Sequence, residues 1–174
     1  GKYGFVNYYG EEVIPLIYDS ASDFWGDLAK VKQGNKWGYI DTLGNVVVDF
    51  IYDKGSNVNH CLARVVKDNR YGFIDASGKE VIPCQYRYAH DFINDSAVVC
   101  SEKYGVINKN GELLYPMELD SLEYEDDHVI VGCKGDNYGI LYRDGKENSP
   151  FKYSYYDIAS RLYPPVDDWV TWRE

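Results

Sequence analysis

The sequence predicts an all-β fold of five repeats, each close to 34 residues long, stacked as an open, curved solenoid. Three observations predict it. An aromatic-glycine step recurs at Tyr3-Gly4, Trp37-Gly38, Tyr71-Gly72, Tyr104-Gly105 and Tyr138-Gly139, its glycines 34, 34, 33 and 34 residues apart. A second glycine follows six residues later in every copy, at Gly10, Gly44, Gly78, Gly111 and Gly145. Aromatic residues make up 16% of the chain, 18 of them Tyr, which suits pleated strands better than a helical bundle. A fixed period in this range marks stacked or radial units that bury their apolar faces against their neighbours. The copies run about 1–34, 35–68, 69–101, 102–135 and 136–174, with no compositional break, and read as one domain.

Each element follows from the second copy. Trp37 to Asp41 alternates rings (Trp37, Tyr39) with Gly38 and Ile40, so a strand here is apolar on both faces and needs cover on both. Gly38 leaves room for a close approach by another backbone or a ring. Asp41-Thr42-Leu43-Gly44 is a hairpin turn. Its lead residue is Asn7, Asp41, Asp75 or Asn108 in copies one to four, where the side chain can bond back onto the turn. The glycine accepts positive φ. The fifth copy has Tyr142 in the lead and keeps Gly145.

The return strand spans Val46 to Tyr52, matched by Glu12 to Tyr18, Glu80 to Tyr86 and Leu113 to Leu119. Pro15, Pro83, Pro116 and Pro150 recur in it, with Asp49 the exception. Proline donates no N–H, so this strand is expected at an edge or bulged. A loop leads to a third strand: Leu28 to Lys32, Leu62 to Val66, Ser96 to Cys100 and Val129 to Cys133. A tight polar turn then opens the next aromatic-glycine strand. Each period is thus a three-stranded antiparallel meander. No segment shows a capped helical period. Tyr156-Asp157-Ile158-Ala159 reads in phase with Tyr18-Asp19-Ser20-Ala21, and Trp169 to Arg173 with Leu28 to Lys32. If that last strand paired with Lys2 to Val6, a closed five-bladed ring would replace the open array.

These residues give the chain its resemblance to the bacterial WG-repeat (KWG-repeat) family. The carriers are Lys36-Trp37-Gly38-Tyr39-Ile40-Asp41, the Gly44 turn, Val81-Ile82-Pro83 and Leu28-Ala29-x-Val31. One copy holds the eponymous Trp and the others Tyr, a ring with the same packing role. The resemblance implies a β-rich binding scaffold and brings no catalytic residues with it.

The formal charge of −10 opposes a nucleic-acid role, which needs clustered Lys and Arg. No apolar run approaches the ~18 residues of a membrane span. Cys61, Cys84, Cys100 and Cys133 show no Cys-x-x-Cys spacing and read as reduced, partly buried thiols, which fits a reducing, cytoplasmic compartment. No phosphate loop, nucleophile elbow, zinc spacing or calcium loop occurs, so neither a cofactor nor catalysis is expected.

What clusters instead is the segment between return and third strands. It holds His60, His90 and His128, too far apart in the repeat for one metal site. It also holds Asp23, Asp27, Asp91, Asp95, Glu123, Glu125, Asp126, Asp127, Asp167 and Asp168, with Phe24, Trp25, Phe92 and Tyr124 as accompanying rings. Acidic groups with exposed aromatics have the composition of a contact edge for a basic protein. A toxin neutralised by an immunity-type inhibitor is one such partner. Rings at repeat spacing that stack on glycans are the alternative reading.

Overall fold

The computed structural model describes residues 1–58, 62–145 and 149–162, with the side chains at 123–125 and 159–162 outside that description. It forms two compact units, Gly1–Met117 and Glu118–Glu174. The regular structure is antiparallel strand throughout the first unit, as the repeat pattern predicts, and strand plus one helix in the described part of the second.

The first unit opens with a two-stranded sheet, β1 (Tyr3–Val6) and β2 (Glu12–Tyr18). Next comes a four-stranded sheet of β3 (Ser20–Trp25), β4 (Leu28–Gln33), β5 (Lys36–Ile40) and β6 (Val46–Tyr52), paired in that order. The plan repeats in β7 (Lys54–Gly55), β8 (Leu62–Lys67), β9 (Arg70–Asp75) and β10 (Glu80–Tyr86). A fourth sheet holds β11 (Tyr88–Ala89), β12 (Ser96–Cys100), β13 (Tyr104–Asn108) and β14 (Leu113–Leu119), whose last two residues open the second unit.

The expected meander therefore gains a fourth, short strand. It lies in the segment read as a loop from sequence and pairs with the third strand of its own copy, as Ser20↔Lys32 and Tyr88↔Cys100 show. Each full sheet thus takes two strands from the tail of one copy and two from the head of the next.

The motif glycines explain how the return strand closes its sheet. In β5–β6 the register runs Tyr39↔Val48 and then Trp37↔Tyr52, so three residues of β6, Asp49, Phe50 and Ile51, oppose Gly38 of β5. The surplus arches over Gly38, where a Cβ would stand 2.5 Å from the Val48 carbonyl oxygen. Gly72 lies under the same arch, with Cys84 N and Ile82 O each 2.6 Å from its would-be Cβ. Pro83 sits in the arch of β10, a bulged strand at the sheet edge, where the missing N–H breaks no ladder.

The lead residues close the turns as read. The Asp41 carboxylate accepts the N–H groups of Leu43 (2.9 Å) and Asn45 (2.8 Å), and Asn108 accepts those of Asn110 and Glu112. Gly44 and Gly78 take φ of 84° and 83°.

In the first unit the sheets stack face to face, so the aromatic-glycine strands that follow β1 lie in the seams between sheets, while β1 keeps Tyr3 and Val6 exposed. Ile14 and Tyr18 pack on Ala29, Val31 and Ile40 of the next sheet. Tyr39, Val48 and Tyr52 pack on Ala63, Val65 and Ile74. Phe73, Ile82 and Tyr86 pack on Ala89, Ala97, Val99 and Ile107. The turn glycines join the same seams, Gly44 lying on Ile14, Gly78 on Val48 and Gly111 on Ile82.

The second unit repeats the plan in β15 (Ser121–Glu125), β16 (Val129–Lys134) and β17 (Asn137–Tyr142). Among its described residues the return segment bridges Tyr138↔Tyr153 and lays the Phe151 ring over Gly139. Against the expectation that no segment carries a capped helix, the stretch read in phase with Tyr18–Ala21 forms α1 (Tyr155–Leu162). The Ser154 hydroxyl accepts the Asp157 N–H (3.2 Å), while the Asp157 carboxylate accepts the Ser154 N–H (3.0 Å) and hydroxyl (2.7 Å). This reciprocal box starts the helix. Ile158 then seats in the core of Val129, Val131 and Ile140. The last strand expected at Trp169–Arg173 lies outside the described residues, as do His60, Cys61, Asp167 and Asp168.

Candidate functional site

The sequence-predicted contact residues fall into three local groups. The first is the β3–β4 hairpin, where Gly26 turns the chain with φ of 61° between Trp25 and Leu28. Asp23 and Asp27 are exposed there, and the Trp25 ring is 53% exposed. Phe24, on the opposite face, is half-buried against Phe5 with ring centroids 4.7 Å apart. The turn thus presents one indole between two carboxylates.

The second group, His90 to Asp95, is mostly engaged within the fold. Phe92 is not a surface ring: it is 3% exposed, and its centroid lies 4.8 Å from that of Phe73 in the seam between sheets three and four. Asp91 pairs with Arg64 at 3.1 Å, and Asp95 with Lys109 at 2.6 Å. His90 is half-buried with its ring edge against Tyr88, centroids 5.1 Å apart.

The third group is in the second unit. The Asp126 carboxylate accepts the N–H groups of His128 and Val129, each at 2.7 Å. The Asp126 carbonyl accepts the buried Arg143 side chain at 2.5 Å. Asp127 and His128 remain exposed. Glu123, Tyr124 and Glu125 lie on β15, with their side chains outside the description. Among the described residues no cluster of His, Cys, Asp and Glu could hold a metal ion, and no helix is long and apolar enough to cross a membrane.

Sequence reading misses a second constellation, formed by basic residues on the third strands. The Lys30 ammonium lies 4.8 Å from the Trp37 ring centroid and donates to the Gly55 carbonyl at 2.8 Å. One copy later Arg64 does the same, 5.6 Å from the Tyr71 centroid and donating to the Ala89 carbonyl at 2.6 Å. Burial holds the Lys30 ammonium below its usual pKa, partly offset by Asp91. Register places Lys30, Arg64, Val98 and Val131 in one structural column. The signal was present in the chain, because aligning the copies on their glycines shows the change from base to valine.

The thiols are unpaired at Cys84, Cys100 and Cys133. Burial pushes the Cys84 thiol up to about 11, well away from a reactive thiolate.

This geometry defines a class, a stacked β-repeat protein whose chemistry lies in turns and inter-sheet seams. The family model for the WG containing repeat matches residues 3–37, 37–71, 71–103 and 104–135. The chain belongs to the WG-repeat family. A search of the curated proteins finds no match. Among solved structures it is similar to KlHsv2 with loop 6CD replaced by a Gly-Ser linker, at 11% identity and a TM-score of 0.47, covering 84% of this chain and 60% of that one. It is also similar to Hsv2 of Kluyvelomyces marxianus, at 10% identity and a TM-score of 0.47, covering 84% of this chain and 58% of that one. The chain spans about three fifths of the length of these neighbours. A likeness at this level carries nothing about function.

Proposed function

We propose that this WG-repeat chain is a non-catalytic binding scaffold that contacts a basic protein through the β3–β4 hairpin. The observation that carries the reading is Trp25, an indole 53% exposed on a tight turn between exposed Asp23 and Asp27. Packing does not require a ring there, and a large amphipathic ring is the commonest anchor of a protein interface. Charge supports the reading. Residues 118–174 carry 13 acidic and six basic side chains, and residues 1–117 carry 15 and 12. A field of that sign steers a cationic partner, such as a basic toxin to be neutralised.

Binding kinetics on immobilised Lys- and Arg-rich peptides at two salt concentrations test this. Asp23→Asn with Asp27→Asn slows association and flattens its salt dependence, since rim charges act mainly on encounter. Trp25→Ala instead speeds dissociation. Native-like rates in all variants would end the reading. Salt-insensitive binding to immobilised glycans in place of the peptides would favour sugar stacking.

A further inference from the structure

Lys54, Arg64, Tyr71 and Tyr88 line a cleft of about 370 Å³ in the first unit, of a size that small-molecule sites use. It lies where the third sheet meets the first strand of the fourth. Arg64 and Lys54 bring the charge, and the Tyr71 and Tyr88 rings meet edge to face with centroids 5.5 Å apart. In a protein of net charge −10, this place is locally cationic: Lys54 and Arg64 line the cleft, Arg64 pairs with Asp91, and Lys30 donates to the carbonyl of Gly55 in the same lining.

The repeats provide an internal control. Were the base at position 64 needed to hold sheets together, every copy would carry one. The equivalent Val98 and Val131 are 0% and 1% exposed, so an aliphatic side chain packs there without loss. Lys54 shares its column with Ser20, Tyr88 and Ser121, by pairing with Val66 as they pair with Lys32, Cys100 and Cys133. Its ammonium makes no hydrogen bond or ion pair among the described residues. Arg64 donates one N–H to the Ala89 carbonyl and one to Asp91 Oδ2, and its Nε lies 3.1 Å from Asp91 Oδ1 as an ion pair, so guanidinium donors are left to reach a ligand.

We propose that this cleft binds a small oxyanion carried on a planar body, of which an aromatic carboxylate is the simplest. The ammonium of Lys54 and the remaining guanidinium donors of Arg64 take the oxygens. The exposed face of Tyr88 takes the planar body. Such charge-assisted bonds to a carboxylate favour Arg over a point charge. None of Asp23, Trp25 and Asp27 lines the cleft, so the two readings stand or fall separately.

The test uses the full chain, titrated calorimetrically with benzoate and, separately, with inorganic phosphate. The variants are borrowed from the chain's own copies. Lys54→Ser takes the residue at Ser20 and Ser121. Arg64→Val with Asp91→Asn takes that of Val98 and removes the carboxylate otherwise left buried. Benzoate should saturate one site, and each variant should weaken it by about tenfold, the loss of a charged hydrogen bond. Phosphate, with no planar body, should bind more weakly than benzoate. No saturable benzoate binding, tighter binding of phosphate, or undiminished affinity in Lys54→Ser would overturn the proposal. Should the double variant fail to fold, the single variant decides.

Discussion

Gly72 and Gly10 separate two reasons for keeping a glycine. At Gly72 a Cβ would meet the backbone of Ile82, Pro83 and Cys84 at 2.6–2.7 Å, atoms fixed by the arch above it. At Gly10 nothing lies within 4 Å and only the φ of 82° resists a side chain. Gly72→Ala is therefore expected to lower the urea midpoint by more than Gly10→Ala, with Gly72→Ala costing about 1–3 kcal/mol through overpacking. The left-handed strain at Gly10 should cost about 1 kcal/mol. The turn leads follow a second residue-scale rule. Asn7 and Asn108 donate to Glu11 and Glu112, whereas Asp41 accepts from Asn45 and Asp75 from the Ser77 hydroxyl, so donor and acceptor exchange places between copies. The Asn45 side chain, and at Asp75 the Ser77 hydroxyl, hold these carboxyls below the usual range. A depressed carboxyl contributes stability above its unfolded pKa, near 4, which is lost as pH falls through the folded value. Replacing Asp41 and Asp75 by Asn, the residue other copies use, should leave stability at pH 7 nearly unchanged. It should flatten the loss below about pH 5 in urea titrations. An acid limb as steep as the parent's would refute this assignment.

Strands legible in the sequence are those whose alternation carries them: the five aromatic-glycine strands and the return and third strands of copies one to four fall where the pattern puts them. The fourth strand is not legible because its copies, Ser20–Trp25, Lys54–Gly55, Tyr88–Ala89 and Ser121–Glu125, share no pattern. It is extended because the neighbouring third strand offers an open ladder, a tertiary cause that composition does not report. The helix fails for the opposite reason. Phase with Tyr18–Ala21 points to the end of a return strand and the loop after it, while Ser154-Tyr155-Tyr156-Asp157 carries a local helix start that overrides it. Ser154→Ala should then cost about 0.5–2 kcal/mol of helix stability. Faster amide exchange at Ile158, whose N–H bonds the Ser154 carbonyl, would report it, and unchanged exchange would show that packing alone sets the helix.

Across the whole chain, every sheet of the first unit borrows cover from its neighbours, so damage should travel by adjacency. Ile82 is 1% exposed, packs on Ala97, Val99 and Ile107, and supports the Gly111 turn. Ile82→Ala is expected to destabilise by about 2–5 kcal/mol. Exchange should quicken most in β9, β10, β12 and β13, with β1 and β2 least affected, as nearest-neighbour coupling requires. Uniform acceleration would mean that the array unfolds as one piece. At this scale the candidate site was half legible. Acidic residue types were visible at one phase of the repeat, but Asp91 and Asp95 meet Arg64 and Lys109, partners distant in sequence that no local pattern announces.

The offset between copy and sheet bears on how such a chain can change its length. Because each full sheet joins the tail of one copy to the head of the next, it has no private start point in the gene. A duplication or deletion of one period, begun at any codon, restores the same strand order and adds or removes one whole sheet. Slippage during replication would therefore lengthen or shorten the protein without a misfolded intermediate generation, and lineages could vary repeat number while the seams kept their chemistry.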